Sequence, residues 1–478
     1  MNKHIFSATI LLLAFTACDD QLSSINENPN ATVNPTPDYL LSAAEYYAAN
    51  LYQGQTVNYN STLLWVQHWS KIQYTEPDRY DVTNSDYNSP WNTTYATTLT
   101  DIDGILKSPL ANDGIRAIAQ VWRDWNFLLL TELYGDVPYT EYATSTSPAY
   151  DTQESILRAL LTDLQSTEEA LTKSGSDKIT GDIIYGGNLT NWRKFARSLR
   201  LRIALLIADR DETLARQIIS ELYGQKNTLI SSNAENARFV FDTSTSAYWN
   251  PWGSAFFSRD DQRVSKTLID KLTALSDPRL AIYAQPATET GLYTGGQNGL
   301  TADAANNQGF SSLSKPGLSF LTYDAPATFF TYSEVLFIFA EAAARGFIQA
   351  DASALYQEAI RASLEQYAVT NEDIEDYLSQ PQVAFEAAPW YEQIGTQKWI
   401  ASYGQAPDTF TDWRRLGYPQ FTPGPNTALA PGELPRRFFY PSTEAGENRV
   451  SYEAAVAHQG ADKLTTRLWF DVESKARR

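Results

Sequence analysis

Two clusters of aromatic side chains are the residues of this chain whose types and spacing point most directly to chemistry. Seven aromatics fall in the nineteen residues from Phe239 to Phe257: Phe239, Phe241, Tyr248, Trp249, Trp252, Phe256 and Phe257. Trp249-Asn250-Pro251-Trp252 reads as turn chemistry, so at least one of the two indoles is expected to face outward. A Trp or Tyr ring held on a rigid loop can stack on a flat apolar ligand face, such as that of a sugar ring. Asn250, Arg259, Asp260 and Asp261 stand close by in sequence to serve its hydroxyls. About half of these rings are expected instead to pin an irregular lobe to a scaffold. The second cluster, in residues 65–91, holds Trp65, Trp69, Tyr74, Tyr80, Tyr87 and Trp91. Trp65 and Trp91 belong by spacing to helix faces and the core, whereas Tyr74 and Tyr80 bracket a Pro-containing loop. The candidate ligand site is therefore Trp69, Tyr74, Tyr80, Trp249, Trp252 and Tyr293 for stacking, with Arg259 and Asp260 for polar contacts.

Signals for catalysis are weak by comparison. There is no G-x-S-x-G elbow, P-loop or dinucleotide fingerprint, and Asp101-Ile102-Asp103-Gly104 starts like a calcium loop without its remaining ligands. The three histidines are His4, His68 and His458, and His68 is expected to be a packed or surface residue. No spacing singles out a carboxylate pair for glycoside cleavage among the 56 acids. No cofactor and no metal are expected. The single Cys18 excludes a disulfide scaffold and a cysteine-based zinc site. A net charge of −19 makes nucleic acid an unsuitable partner.

Helices must position these clusters. Thr36-Pro37 can cap and open a first helix that ends near Gly54. Apolar residues recur at three- and four-residue spacing in 91–107 and 114–134, and Asp151-x-x-Glu154 opens 151–172. Further helices are expected over 190–208, 212–223, 265–275, 331–345 (opened by Thr331-x-x-Glu334), 351–367, 371–379 and 391–403. Helices of this length joined by short turns suggest a mainly α, TPR-like scaffold of helix pairs. Residues 226–330 are rich in Gly, Asn, Ser, Thr and aromatics, and are expected to form a loop-rich lobe that carries the ligand site. Residues 410–470 read as a second irregular, Pro/Gly-rich region. The whole of 37–478 is expected to be one domain, with its helical scaffold in 37–225 and 331–478.

The amino terminus carries its own chemistry. Lys3 precedes an apolar stretch of thirteen residues, Ile5 to Ala17, which is short of the ~20 that a helix needs to cross ~30 Å of hydrocarbon. Residues 1–17 read as a secretory signal, and Cys18 stands where a bacterial lipoprotein is lipidated, although Phe15 replaces the usual Leu. Removal of 1–17 takes away Met1, the one methionine, and leaves a charge of 36 − 56 = −20. Several acyl chains on Cys18 give stable anchoring, and the polar residues 19–36 form a tether.

Several strings resemble the SusD/RagB family of surface nutrient-binding lipoproteins, in its SusD-like branch. They are INENPNATVNPTPDYLLSAA (25–44), LTELYGDVPYTEY (130–142), NWRKFARSLRLRIALLIAD (191–209), YSEVLFIFAEAAARG (332–346), QKWIASYGQAPDTFTDWRRLGYP (397–419), RRFFYPSTEAGEN (436–448) and VAHQGADKLTTRLWFD (456–471). The resemblance implies TPR-like helix pairs and an irregular lobe with the ligand site. It also implies a place on the outer face of the outer membrane, and a SusC-like TonB-dependent transporter over which the protein sits as a lid. These motifs are mostly scaffold: Trp413-Arg414-Arg415 and Arg436-Arg437 are expected to tie loops to acids. The function so implied is capture of an oligosaccharide and its delivery to the transporter. A peptide ligand, a glycoside hydrolase on a helical scaffold and a pure interaction scaffold are the alternatives.

Overall fold

A computed structural model describes residues 35–175, 177–386 and 388–472; the expected signal, Cys18 and nearly all of the tether lie outside them. Helix starts follow local capping chemistry. Thr36 Oγ1 accepts the Tyr39 N–H at 3.4 Å and Pro37 opens α1 (Pro37–Tyr52). The expected 91–107 helix is Asn88–Thr93 and α2 (Leu99–Lys107), joined by a π-helical turn. Asn112 caps α3 (Asp113–Tyr134) through the Ile115 N–H at 2.9 Å. Gly135, at φ 89°, ends it, and a Cβ there would lie 2.1 Å from Gln459 Oε1. The cap of α4 (Gln153–Lys173) is Thr152, which accepts the Ser155 N–H at 3.2 Å. Asp151 instead accepts the N–H groups of Tyr139 and Thr140 at 3.0 and 2.8 Å.

The chain continues through α5 (Leu189–Leu206), α6 (Glu212–Gly224), α7 (Pro251–Ser258), α8 (Lys266–Ala274), α9 (Tyr332–Ala344), α10 (Ala352–Glu365), α11 (Asn371–Leu378), α12 (Trp390–Ala401), α13 (Ala406–Leu416) and α14 (Arg449–Gln459). The molecule is mainly α, and consecutive helices pack in pairs: α3 on α4, α4 on α5, α5 on α6, and α9 on α10. The irregular reading of 410–470 is corrected, because most of α13 and all of α14 fall in it. Every residue of α13 except Asp412 is buried, Arg414 and Arg415 included. α13 does carry an apolar stripe, Ala406, Phe410, Trp413 and Leu416 at three- and four-residue spacing, but only its last seven residues fall in the Pro/Gly-rich stretch, whose composition hides them.

Strands are few and short. β1 (Trp69–Lys71) pairs antiparallel with β3 (Gln262–Val264), with Trp69 opposite Val264 and Lys71 opposite Gln262. β2 (Ala237–Phe239) pairs antiparallel with β4 (Ala327–Phe330). The β1–β3 ladder ties the segment after α1 to residues 226–330, and so brings the two aromatic clusters of the sequence together.

Buried charges knot the helices. Arg202 on α5 donates to both Glu334 oxygens at 2.7 Å, to Asp408 Oδ1 at 3.0 Å and to the Phe329 carbonyl at 2.8 Å. Tyr52 Oη at the end of α1 donates to the other Asp408 oxygen at 2.7 Å. Thr331 caps α9 as expected, but Glu334 spends its carboxylate on Arg202 rather than on the cap. Arg415, Arg436 and Arg437 do reach acids, respectively Glu341, Asp471 and Asp462. Arg414 does not: it donates to the Arg436 carbonyl at 2.8 Å and to Thr411 Oγ1 at 2.9 Å.

Candidate ligand-binding cleft

The β1–β3 ladder floors a cleft of ≈ 300 Å³ whose walls come from three places. The turn after α1 supplies Gln55, Tyr59 and Asn60, β1 and its exit supply Lys71 and Tyr74, and α7 with β3 supplies Ala255, Ser258, Arg259, Asp261 and Gln262. Tyr74 sits at the rim with its side chain 58% exposed and a positive φ of 51°. The Arg259 guanidinium lies over its ring, 4.0 Å from the centroid, and is held from the other side by Asp261 at 2.8 Å. Lys71 Nζ donates to Asn60 Oδ1 at 3.2 Å. Below the floor, Asp78 accepts the Lys71 N–H at 3.1 Å and an Asn298 amide hydrogen at 2.8 Å. Burial pushes its carboxyl up to about 6 against those hydrogen bonds. Burial likewise lowers the Lys71 ammonium, and it raises the Tyr59 phenol to about 12, with Asp261 adding to that rise.

The expected site residues do not share one place. Tyr74 and Arg259 line the cleft. Trp69, Tyr80 and Trp252 do not, because they are 0%, 2% and 0% exposed. Trp69 and Trp252 pack on each other at 4.4 Å, and Trp69 Nε1 donates to Tyr403 Oη at 2.8 Å. Tyr80 ends the 3-10 turn Pro77–Arg79 with a left-handed backbone, and its ring lies in the core. Trp249-Asn250-Pro251-Trp252 is a helix start rather than a free turn: Asn250 Oδ1 accepts the N–H groups of Trp252 and Gly253, and Pro251 opens α7. Asn250 is thereby buried and spent on the cap. Trp249 is half-buried with one face stacked on Tyr323 at 3.7 Å and 5°, and it does not line the cleft. Tyr293 is half-buried against the core, also off the cleft. Asp260 is held by Arg263 at 2.7 Å and Lys315 at 2.6 Å.

Sequence reasoning missed Gln55, Tyr59, Asn60, Lys71, Ser258 and Gln262. The polar run from Gln55 to Thr62 interrupts two apolar helical stretches and was the available signal for three of them. Lys71 and Gln262 become neighbours only through strand pairing.

Comparison with known proteins follows this geometry. A family model described as "SusD-like_2: Starch-binding associating with outer membrane" matches residues 29–441. The chain belongs to the SusD-like family. No curated protein is significantly similar to this SusD-like chain. A solved structure named a chitin-binding protein superposes with a TM-score of 0.83 at 26% identity, covering 92% of this chain and 100% of the other. A chitin-binding SusD homolog from Flavobacterium johnsoniae gives 0.82 at 22% identity, covering 91% and 99%. A SusD homolog from Bacteroides uniformis gives 0.81 at 24% identity, covering 91% and 100%. Among the described residues of this SusD-like protein, no helix is long and apolar enough to cross a membrane.

The cleft is equipped for holding a hydroxylated ligand. It offers an exposed ring for stacking, amide and hydroxyl groups that both donate and accept, and two cations against one carboxylate. Glycoside hydrolysis uses two carboxyls, roughly 5–9.5 Å apart. Among the described residues, Asp261 is the one carboxylate lining this cleft, and it is ion-paired to Arg259.

Proposed function

We propose that this SusD-like protein is a lipid-anchored surface protein that captures an oligosaccharide in the cleft and passes it to a SusC-like TonB-dependent transporter. The observation that carries the reading is Tyr74, a ring left largely exposed at the rim of a polar cleft and braced by Arg259. The names of the chitin-binding relatives support a glycan built from N-acetylhexosamine units, whose amide and hydroxyls match Asn60, Gln262 and Ser258 in kind. The excess of cationic over anionic groups in the cleft weighs against a cationic peptide.

Titration calorimetry with chitooligosaccharides, maltooligosaccharides and a basic peptide tests this. Tyr74→Ala and Arg259→Ala are each expected to weaken binding of the preferred glycan by on the order of tenfold or more, with melting temperature unchanged. Unchanged affinity in both variants would remove the cleft from the binding site. Reducing-end release by the purified protein would point to a hydrolase instead.

A further inference from the structure

A second cavity, of ≈ 210 Å³, lies apart from the cleft. It is bounded by the end of α1 (Gln53), the β2–β4 ladder (Arg238 opposite Thr328), Phe320, the end of α10 (Tyr367) and the α12–α13 junction (Tyr403, Gln405). None of the cleft residues lines it. Trp252 packs on two of its walls, Tyr403 at 6.4 Å and Phe320 at 6.3 Å, while α7, which carries Trp252, turns Ala255 and Ser258 toward the cleft.

Its polar lining is unsatisfied. Gln53 and Gln405 are 4% and 5% exposed, and among the described residues neither buried Oε1 has a hydrogen-bond partner. A buried acceptor left unmade is costly, so such atoms call for a donor. Among the described residues, Arg238 is the arginine that lines this cavity. Arg202, Arg279 and Arg415 each hold a carboxylate, at 2.7, 2.6 and 2.7 Å. Arg238 has no carboxylate within ion-pair distance among the described residues, and its buried Nε has no hydrogen-bond partner. Burial lowers its pKa, offset in part only by the Tyr367 and Tyr185 hydroxyls. Among the described residues of a chain of net charge −19, this guanidinium has no acid beside it.

We infer that this cavity is a second ligand site, for a single sugar acid of the uronate type. The guanidinium takes the carboxylate in its planar fork. Ring hydroxyls donate to the amide oxygens of Gln53 and Gln405, and the aromatic walls of Phe320, Tyr367 and Tyr403 receive the apolar ring face. The volume is below the ~300–1,000 Å³ of drug-sized sites, which suits one sugar rather than a chain. This inference does not rest on the cleft reading, and either can fail alone.

Calorimetry and thermal shift with glucuronate, galacturonate and neutral glucose test it. The expected result is binding of at least one uronate to the wild type, at least tenfold weaker binding of glucose, and at least tenfold loss of uronate binding in Arg238→Gln. Gln405→Leu, which keeps the charge and removes an amide, is expected to lose severalfold, and Tyr74→Ala nothing. The proposal is overturned if the wild type binds neither uronate at millimolar concentration, if glucose binds equally well, or if the loss follows Tyr74→Ala rather than Arg238→Gln. Circular dichroism of the unliganded variants separates lost binding from lost fold, and Gln405→Leu carries the test should Arg238→Gln not fold.

Discussion

Tyr74 and Tyr80 share a chemistry and a left-handed backbone, at φ 51° and 61°, yet one ring lies at the cleft rim and the other in the core. A bulky residue in that region is strained, and strain of this kind gathers where a side chain must be aimed. At Tyr74 the aim is outward, over Arg259. His68, in the same stretch of chain, is fully buried against Trp399 and Tyr403. Its Nε2–H donates to the Trp399 carbonyl at 3.0 Å, while Nδ1 has no hydrogen-bond partner among the described residues. Burial holds the imidazole neutral and pushes its pKa down to about 3. The unfolded chain binds this proton below about 6.5 and the native state only near 3, so stability is lost as pH falls through that window. The loss is about 2 kcal/mol at pH 5 and absent above pH 7. His68→Gln keeps a donor for Trp399 and does not titrate. Urea melts are expected to show the variant losing about 2 kcal/mol less than the wild type between pH 7 and pH 5; parallel losses would show that His68 is not the titrating group.

At the scale of elements, the helices are joined by buried charge as well as by apolar faces. Arg202 holds the start of α9, the start of α13 and the carbonyl of Phe329 in β4, and its guanidinium also lies 4.3 Å from the centroid of the Phe330 ring. Removing one partner of such a knot leaves uncompensated buried charge, at a cost of about 3–5 kcal/mol. Arg202→Ala is therefore expected to lower stability by about that amount in denaturant titrations. The triple change Arg202→Met, Glu334→Gln, Asp408→Asn is expected to recover part of it, since no charge is then left unpaired. A loss under about 1 kcal/mol for Arg202→Ala would show that water reaches the knot and solvates the acids. Element starts were largely legible, because caps are local: Thr36, Thr331 and the Pro37 position act within one turn. Asn250-Pro251 was misread for the same reason, since its two residues serve a turn and a helix start equally well, and the packing of Trp252 on Trp69 decides between them.

At the scale of the whole molecule, the proposed function requires an anchor at Cys18, and that part of it can be tested alone. Cys18→Ala is expected to move the protein from the membrane fraction to the soluble fraction and to abolish incorporation of labelled fatty acid. A protein that stays with the membrane would be held there by something other than acylation. The sequence by itself determined the mainly α class, most helix limits and the family. All of these rest on local capping, helical periodicity or strings of adjacent residues. Only the tertiary structure decided which rings are exposed at the cleft. Trp69, Trp252 and Tyr74 are equivalent as residue types, and their exposures of 0%, 0% and 58% are set by pairing of β1 with β3 and by the seating of α7. The same holds for Arg238, whose lack of an acid is a property of what the fold places around it. Burial and partnership depend on contacts between residues more than a hundred positions apart, and no local pattern encodes them.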